Sequence, residues 1–348
     1  MVAFLFNLLL ACTLLLSFPG IDLAAPADSG KRALERAADL LKAGDADGAM
    51  AAVNKTLETN PSPEAYHLLG QIYFKGKKKP AEAIEALTHA IKLKPAYPEA
   101  LNDLAEVYLA QGKGAEAEHT LKRAIEIDPK HEDSYLDLAK LYEGRRDIPA
   151  AMTAYKQLLA IDPTQSDALF GLAMLYERQG ENKAALDTLA RLTKANPKHA
   201  DAWYQAGRLA ERHNDLLEAA YAYRKAIAAK PDLVDAHYNL GFILRSQGKP
   251  AEAEREFLEV VRYRPEYAEA HMNLGVIYTS MNRLEEAEHE YQRAVELKPE
   301  YAEAHYNLGV FYELHRKDLP KALAQYHKYR NLGGRDDRVE RIVGMSGR

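Results

Sequence analysis

Apolar residues along this chain fall in blocks of about thirteen, spaced three and four apart, and the blocks alternate with short polar breaks. In the block that begins at Ala268, His271, Leu274, Gly275 and Tyr278 share one helical face. Proline closes every second block at a fixed interval of 34 residues, at Pro61, Pro95, Pro129, Pro163, Pro197, Pro231, Pro265 and Pro299. A period of that length over most of the chain predicts an array of stacked supersecondary units rather than one globular core. Each unit has a small residue that is always Gly or Ala: Ala37, Gly70, Ala105, Ala139, Ala173, Gly207, Gly241, Gly275 and Gly309. Twelve or thirteen residues later comes a second that is always Ala: Ala49, Ala83, Ala117, Ala151, Ala185, Ala219, Ala253, Ala287 and Ala322. Small side chains at facing positions let two helix axes approach closely, so each unit is predicted to be a helical hairpin and the chain to be all-α.

For the unit that starts at 268, the two helices are expected over about 269–281 and 285–297. Proline ends the second helix because it lacks a donor and drives the preceding residue out of helical geometry. The turns carry Gly44, Gly112, Gly180, Asn214, Gly248 and Asn282, the residue types that most easily take a left-handed conformation. Two units hold one extra residue, expected in the turns Lys77-Lys78-Lys79-Pro80 and Arg316-Lys317-Asp318-Leu319-Pro320. The first unit is the least regular, with Ala33 and Thr56 at positions of different type elsewhere, and the last has Gly333-Gly334 where a proline would stand. Beyond it Val339, Ile342 and Val343 form a helical stripe, which predicts a capping helix and tail over 335–348 that covers the open end.

These positions resemble the tetratricopeptide repeat family, whose motif runs aromatic, Leu-Gly, Tyr, Ala, aromatic, Ala, Pro. The stretch 268–301 matches with His271 in place of the first aromatic, then Leu274-Gly275, Tyr278, Ala287, Tyr291, Ala294 and Pro299, and Trp203 supplies that aromatic in the repeat from 200. The resemblance covers 31–334 as nine repeats and implies a right-handed superhelical solenoid of helix-turn-helix units, of an exported bacterial type. It implies a scaffold fold, not one activity.

Composition changes this picture little. The chain is 47% hydrophobic and 28% charged with a net charge of -5, which offers no basic footprint for nucleic acid. The one basic run, Lys75 to Lys79, is read as a solvated loop. Residues 1–18 are almost wholly apolar, and Ala25-Pro26-Ala27 offers a small-x-small cleavage site, so 1–27 reads as a secretory signal, with an uncleaved membrane anchor through 1–18 as the alternative. Either reading places the repeats outside the cytoplasm, in the periplasm or anchored facing it. Cys12 is the only cysteine. Leu9-Leu10-Ala11-Cys12 resembles a lipoprotein box, although Thr13-Leu14-Leu15-Leu16 continues the apolar run where a polar tether is expected.

In the family, positions 2, 5, 6, 9, 12 and 13 of each first helix face a shared concave groove. Asn239, Asn273 and Asn307 all stand at position 6, and a ladder of amides can hydrogen-bond an extended peptide backbone without reading its side chains. This resembles the asparagine ladder in the repeats of the O-linked N-acetylglucosamine transferase. Similar asparagines also arise from duplication of like repeats. With Tyr238, Phe242, Met272, Val276, Tyr306 and Val310 beside them, they form the candidate peptide-binding groove. Position 2 is acidic in eight successive repeats, from Glu64, Glu99, Asp133 and Asp167 to Asp201, Asp235, Glu269 and Glu303, as suits a first helical turn. A row of acids that also faced the groove would favour a basic partner segment.

Position 5 contains no lysine, so the pattern of the family's chaperone-tail class is absent. His237, His271 and His305 recur too far apart to share a metal and are assigned to packing within the hairpins. No catalytic motif is found, no cofactor is implied, and no stretch is left for a second domain. The expected function is a non-enzymatic scaffold or assembly factor that binds partner proteins by extended segments. A regulatory subunit of a separate enzyme, such as a glycosyltransferase or polysaccharide synthase, is the alternative, and self-association through the solenoid ends is a third reading.

Overall fold

The computed structural model describes residues 26–346; the expected anchor over 1–18, Cys12 and all of the expected signal but Pro26 and Ala27 lie outside them. The described residues form nineteen α-helices and no strand. They divide into two compact units that meet at Leu141 and Tyr142, within the helix Glu132–Gly144.

The first unit contains three antiparallel hairpins: α1 (Pro26–Lys42) with α2 (Ala46–Thr59), α3 (Pro63–Gln71) with α4 (Pro80–Leu93), and α5 (Pro98–Ala110) with α6 (Gly114–Ile127). Most of α7 (Glu132–Gly144) belongs to it as well. The second unit opens with α8 (Ile148–Ile161) and continues with α9 (Ser166–Arg178) against α10 (Asn182–Ala195) and α11 (Ala200–Arg212) against α12 (Leu216–Ala229). Then come α13 (Val234–Ser246) with α14 (Pro250–Tyr263), α15 (Ala268–Ser280) with α16 (Leu284–Leu297), and α17 (Ala302–Phe311) with α18 (Leu319–Asn331). A last helix, α19 (Asp337–Ser346), packs on α18 and buries Val339 and Val343. Among the described residues no helix is long and apolar enough to cross a membrane.

Every alanine of the second small series, from Ala49 to Ala322, is fully buried, which places the closest helix contact where the repeat puts its smallest side chain. Glycine at the first small position of the second unit makes room for a ring: a Cβ on Gly275 would lie 2.6 Å from Tyr291. Where the small residue is Ala139, the ring of Tyr155 lies instead over Gly171.

The proline register acts as expected. Lys94, Asp128, Asp162, Asn196, Lys230, Arg264 and Lys298, each just before a repeat proline, cap their helices with ψ between 80° and 99°. Gly44, Gly112, Gly180, Gly248, Asn214 and Asn282 all have positive φ.

The extra residues differ from expectation. They are absorbed one turn earlier, as π turns Ile72–Gly76 and Tyr312–Arg316 at the ends of the first helices. A wider turn takes in one residue while the second helix keeps its place, closed by Lys77 N–H donating to Ile72 O (2.9 Å) and Lys317 N–H to Tyr312 O. The basic run that ends the first π turn is not simply solvated: Lys75 lies 3.1 Å from Glu106 and 3.7 Å from Asp103, and Lys77 pairs with Asp47.

Candidate functional site

A polar ring at position 4 fixes α11, α13, α15 and α17. Trp203 Nε1–H donates to the carbonyl of Pro197 (3.0 Å). His237, His271 and His305 direct Nε2 at the carbonyls of Pro231, Pro265 and Pro299 at 3.0, 2.9 and 2.9 Å. Their Nδ1 atoms meet Glu256 (2.7 Å), Glu290 (2.6 Å) and Gln325 (2.7 Å) on the second helix of the same hairpin. One buried ring thus ties the first helix to its partner helix and to the preceding turn. Burial pulls His237 and His271 down, yet the glutamate and proline-carbonyl bonds outweigh it and hold both above the ordinary histidine value.

Position 12 carries a second device. Glu143, Glu211 and Glu313 accept the hydroxyls of Tyr155 (2.5 Å), Tyr223 (2.7 Å) and Tyr326 (2.6 Å) from the following helix. Burial first, then the neighbouring carboxylate, pushes all three phenols up. The α13–α14 hairpin has Phe257 in the tyrosine place and Arg245 in the glutamate place.

With the first helices held this way, α13, α15 and α17 bring the expected groove residues onto neighbouring faces. Tyr238 stacks on Tyr267 at 5.2 Å, Phe242 is 43% exposed, and Tyr306, Val276 and Val310 are half-buried. The asparagine ladder is built differently from a row of free amides. Asn239 donates its Nδ2–H to Tyr223 Oη at 3.1 Å. Asn273 is buried, donates to the carbonyl of Glu269 at 2.7 Å and accepts from Arg245 at 2.5 Å. Asn307 donates to the carbonyl of Glu303 (3.0 Å) and approaches Met272 Sδ (3.5 Å), and Met272 is itself buried. Each amide donor is therefore engaged within the fold. Asparagine in a helix readily bonds a carbonyl one turn back, and two of the three do so.

Arg245 was not singled out by periodicity, because its partners lie in the next repeat. It donates to Asn273, lies 4.9 Å over the Phe242 ring, and forms no ion pair with any described residue. The acidic row is partly neutralised here, by Arg264 on Asp235 (3.4 Å) and Lys298 on Glu269 (2.7 Å).

The first-helix face of the first unit has a different chemistry. His67 and Gln71 both reach Asp103 at 2.6 Å, and Tyr97 Oη lies 2.9 Å from His67 Nδ1. Burial raises Asp103, but these bonds and Lys75 hold it below the usual carboxylate range. Ser134 donates to Asn102, which donates to Asp137 at 3.0 Å; burial leaves Asp137 above the usual range. These are inter-repeat pairs 32 to 36 residues apart, visible in sequence only by reading one repeat against the next. Among the described residues no group of three or more His, Cys, Asp or Glu side chains could hold a metal ion.

Sequence profiles described as tetratricopeptide repeat match residues 74–142 and 143–209 and, in a second profile, 34–86 and 238–288; one described as TPR repeat matches 212–248 and 275–315. No curated protein matches the chain. Among solved structures, the C-terminal part of a TPR repeat-containing protein from Cytophaga hutchinsonii is similar with a TM-score of 0.56 at 17% identity, over 69% of this chain and 99% of that one. A tetratricopeptide repeat protein from Parabacteroides merdae gives a TM-score of 0.45 at 19% identity, over 72% and 99% of the two chains. YrrB, a TPR protein with an unusual peptide-binding site, gives 0.48 at 23% identity over 53% and 95%. At these identities the likeness is one of fold.

Proposed function

The chain belongs to the tetratricopeptide repeat family, whose members generally mediate protein–protein interaction, and on that premise we propose a non-enzymatic scaffold that takes an extended partner segment across α13, α15 and α17. The observation that supports this face above the rest is its exposed apolar surface beside an unpaired cation. Phe242 is open to solvent, Tyr238, Tyr306, Val276 and Val310 are half-buried around it, and Arg245 lies over the Phe242 ring. Aromatic and aliphatic surface of this kind next to arginine is what protein interfaces concentrate.

The asparagines take a narrower part than a full ladder. Tyr223 gives its proton to Glu211, so Asn239 must present Nδ2 to it and keeps its carbonyl oxygen for a peptide N–H. Asn307 likewise spends its donor on Glu303. Asn273 serves from beneath by holding Arg245. Changing Phe242→Ser together with Val310→Ser tests the face: partner binding should fall at least tenfold while the helical circular dichroism signal and melting midpoint stay near those of the parent. Unchanged binding would move the site elsewhere.

A further inference from the structure

Arg245 stands where the hairpin has no use for it. In three other hairpins of the second unit or at its edge, position 12 is a glutamate that receives a tyrosine hydroxyl, at 2.5 to 2.7 Å. Phe257 replaces that tyrosine in the α13–α14 hairpin, so no hydroxyl at that place needs an acceptor and position 12 carries no carboxylate. The charge at this one place is reversed without a structural partner to account for it.

The guanidinium is nonetheless held. One arm donates to Asn273, whose own amide is fixed by the carbonyl of Glu269, and the plane lies over Phe242. Several other arginines of this unit are neutralised: Arg212 by Glu177 at 3.0 Å, Arg283 by Glu254 and Glu286, and Arg316 by Glu285 and Glu288. The acids nearest in the row, Asp235 and Glu269, are committed to Arg264 and Lys298. Arg245 has five N–H donors and spends one on a side chain of the fold, which leaves the rest for a ligand at a half-buried, preorganised position.

Resting on the proposed peptide-binding reading of this face, we propose that Arg245 anchors an aspartate or glutamate side chain within the partner's extended segment, with apolar neighbours of that acid lying against Phe242 and Val276. The occupant is thus an acidic-apolar segment, not the basic one that the acidic row alone would favour. A carboxylate fits because it accepts two parallel N–H bonds in the plane of the guanidinium. The partly buried setting strengthens such a bond relative to open water.

The test is selection from a displayed library of random linear heptapeptides, with no free C-terminus, against the full chain and its Arg245→Gln, Arg245→Glu and Phe242→Ser variants. The parent is expected to enrich peptides with one Asp or Glu next to apolar residues. Such a peptide should bind Arg245→Gln at least tenfold more weakly, and replacing its acid by the amide should cost the parent a similar factor but cost Arg245→Gln nothing more. Arg245→Glu should select Lys or Arg at that place. If binding is lost in Phe242→Ser but indifferent to Arg245→Gln, the anchor is wrong and the face stands. If no peptide is selected, or binding ignores both substitutions, the face itself is wrong. If carboxylate dependence appears only with synthetic peptides bearing a free C-terminus, a terminal carboxylate is the ligand and the side-chain assignment falls.

Discussion

His271 Nδ1 and a carboxylate oxygen of Glu290 lie 2.6 Å apart across the α15–α16 hairpin, while the other ring nitrogen meets the Pro265 carbonyl. Both neighbours are acceptors, so the doubly protonated ring is the form that satisfies them. Burial opposes the charge, yet His271 is held above its ordinary value; Glu290, raised by burial, is drawn below its own by His271 and His289. A raised histidine adds stability that is complete below the unfolded value near 6.5 and is lost as pH rises through the folded one. A lowered glutamate adds stability that is present above about 4.5 and is lost as pH falls through the folded value. The pair therefore stabilises most between those limits. Urea midpoints should fall as pH rises from 6.5 into the alkaline range, and a His237→Gln, His271→Gln double variant should flatten that fall. An unchanged slope would place the linkage in other groups.

Gly275 and Tyr291 are matched by shape. Gly275→Ala puts a methyl 2.6 Å from the ring, which should destabilise by about 1–3 kcal/mol even after the helix-propensity gain of about 1 kcal/mol. Adding Tyr291→Leu, the combination found naturally at Ala173 and Leu189, should recover much of the loss in the denaturation midpoint. Failure to recover would mean that the ring is held by more than the space glycine leaves.

The pairing of Glu211 with Tyr223 predicts a reciprocal pair of outcomes in the neighbouring hairpin. Tyr223→Phe should cost about 1–2 kcal/mol, because both Glu211 and Asn239 lose a partner. Phe257→Tyr should also destabilise, since it buries a hydroxyl beside Arg245, and the added change Arg245→Glu should restore stability by supplying an acceptor. Thermal melts of the three variants decide this. Additive losses without restoration would contradict the pairing rule.

The sequence spelled out the hairpins because their determinants lie within one repeat. The buried Ala287, the helix end before Pro299 and the left-handed Asn282 each follow from steric rules that act over a few residues. Helix bounds expected at 269–281 and 285–297 fall within a residue of Ala268–Ser280 and Leu284–Leu297. What was not legible depends on contacts between repeats. Nothing in the sequence around 77–80 shows that the extra residue would widen Ile72–Gly76 rather than lengthen the turn. Asn273 looks like Asn239 and Asn307 in one dimension, but Arg245 from the preceding repeat occupies its oxygen. The polar links from His67 to Asp103 and from Asn102 to Asp137 were missed for the same reason. They would have been found by pairing positions 5, 6, 9 and 12 of each repeat with those of the next.

The central claim is that a partner segment lies on the first-helix face of α13, α15 and α17. Site-specific photo-crosslinking in the cells that make the protein tests it most directly, with the reactive residue placed singly at Phe242, Val276 or Val310 and, as controls, at the exposed Leu217 and Leu258. The predicted result is a shared crosslink from the three face positions to one extended segment of one partner, mapped by mass spectrometry, and none from the controls. Crosslinks of equal yield from Leu217 and Leu258, or from them alone, would contradict it.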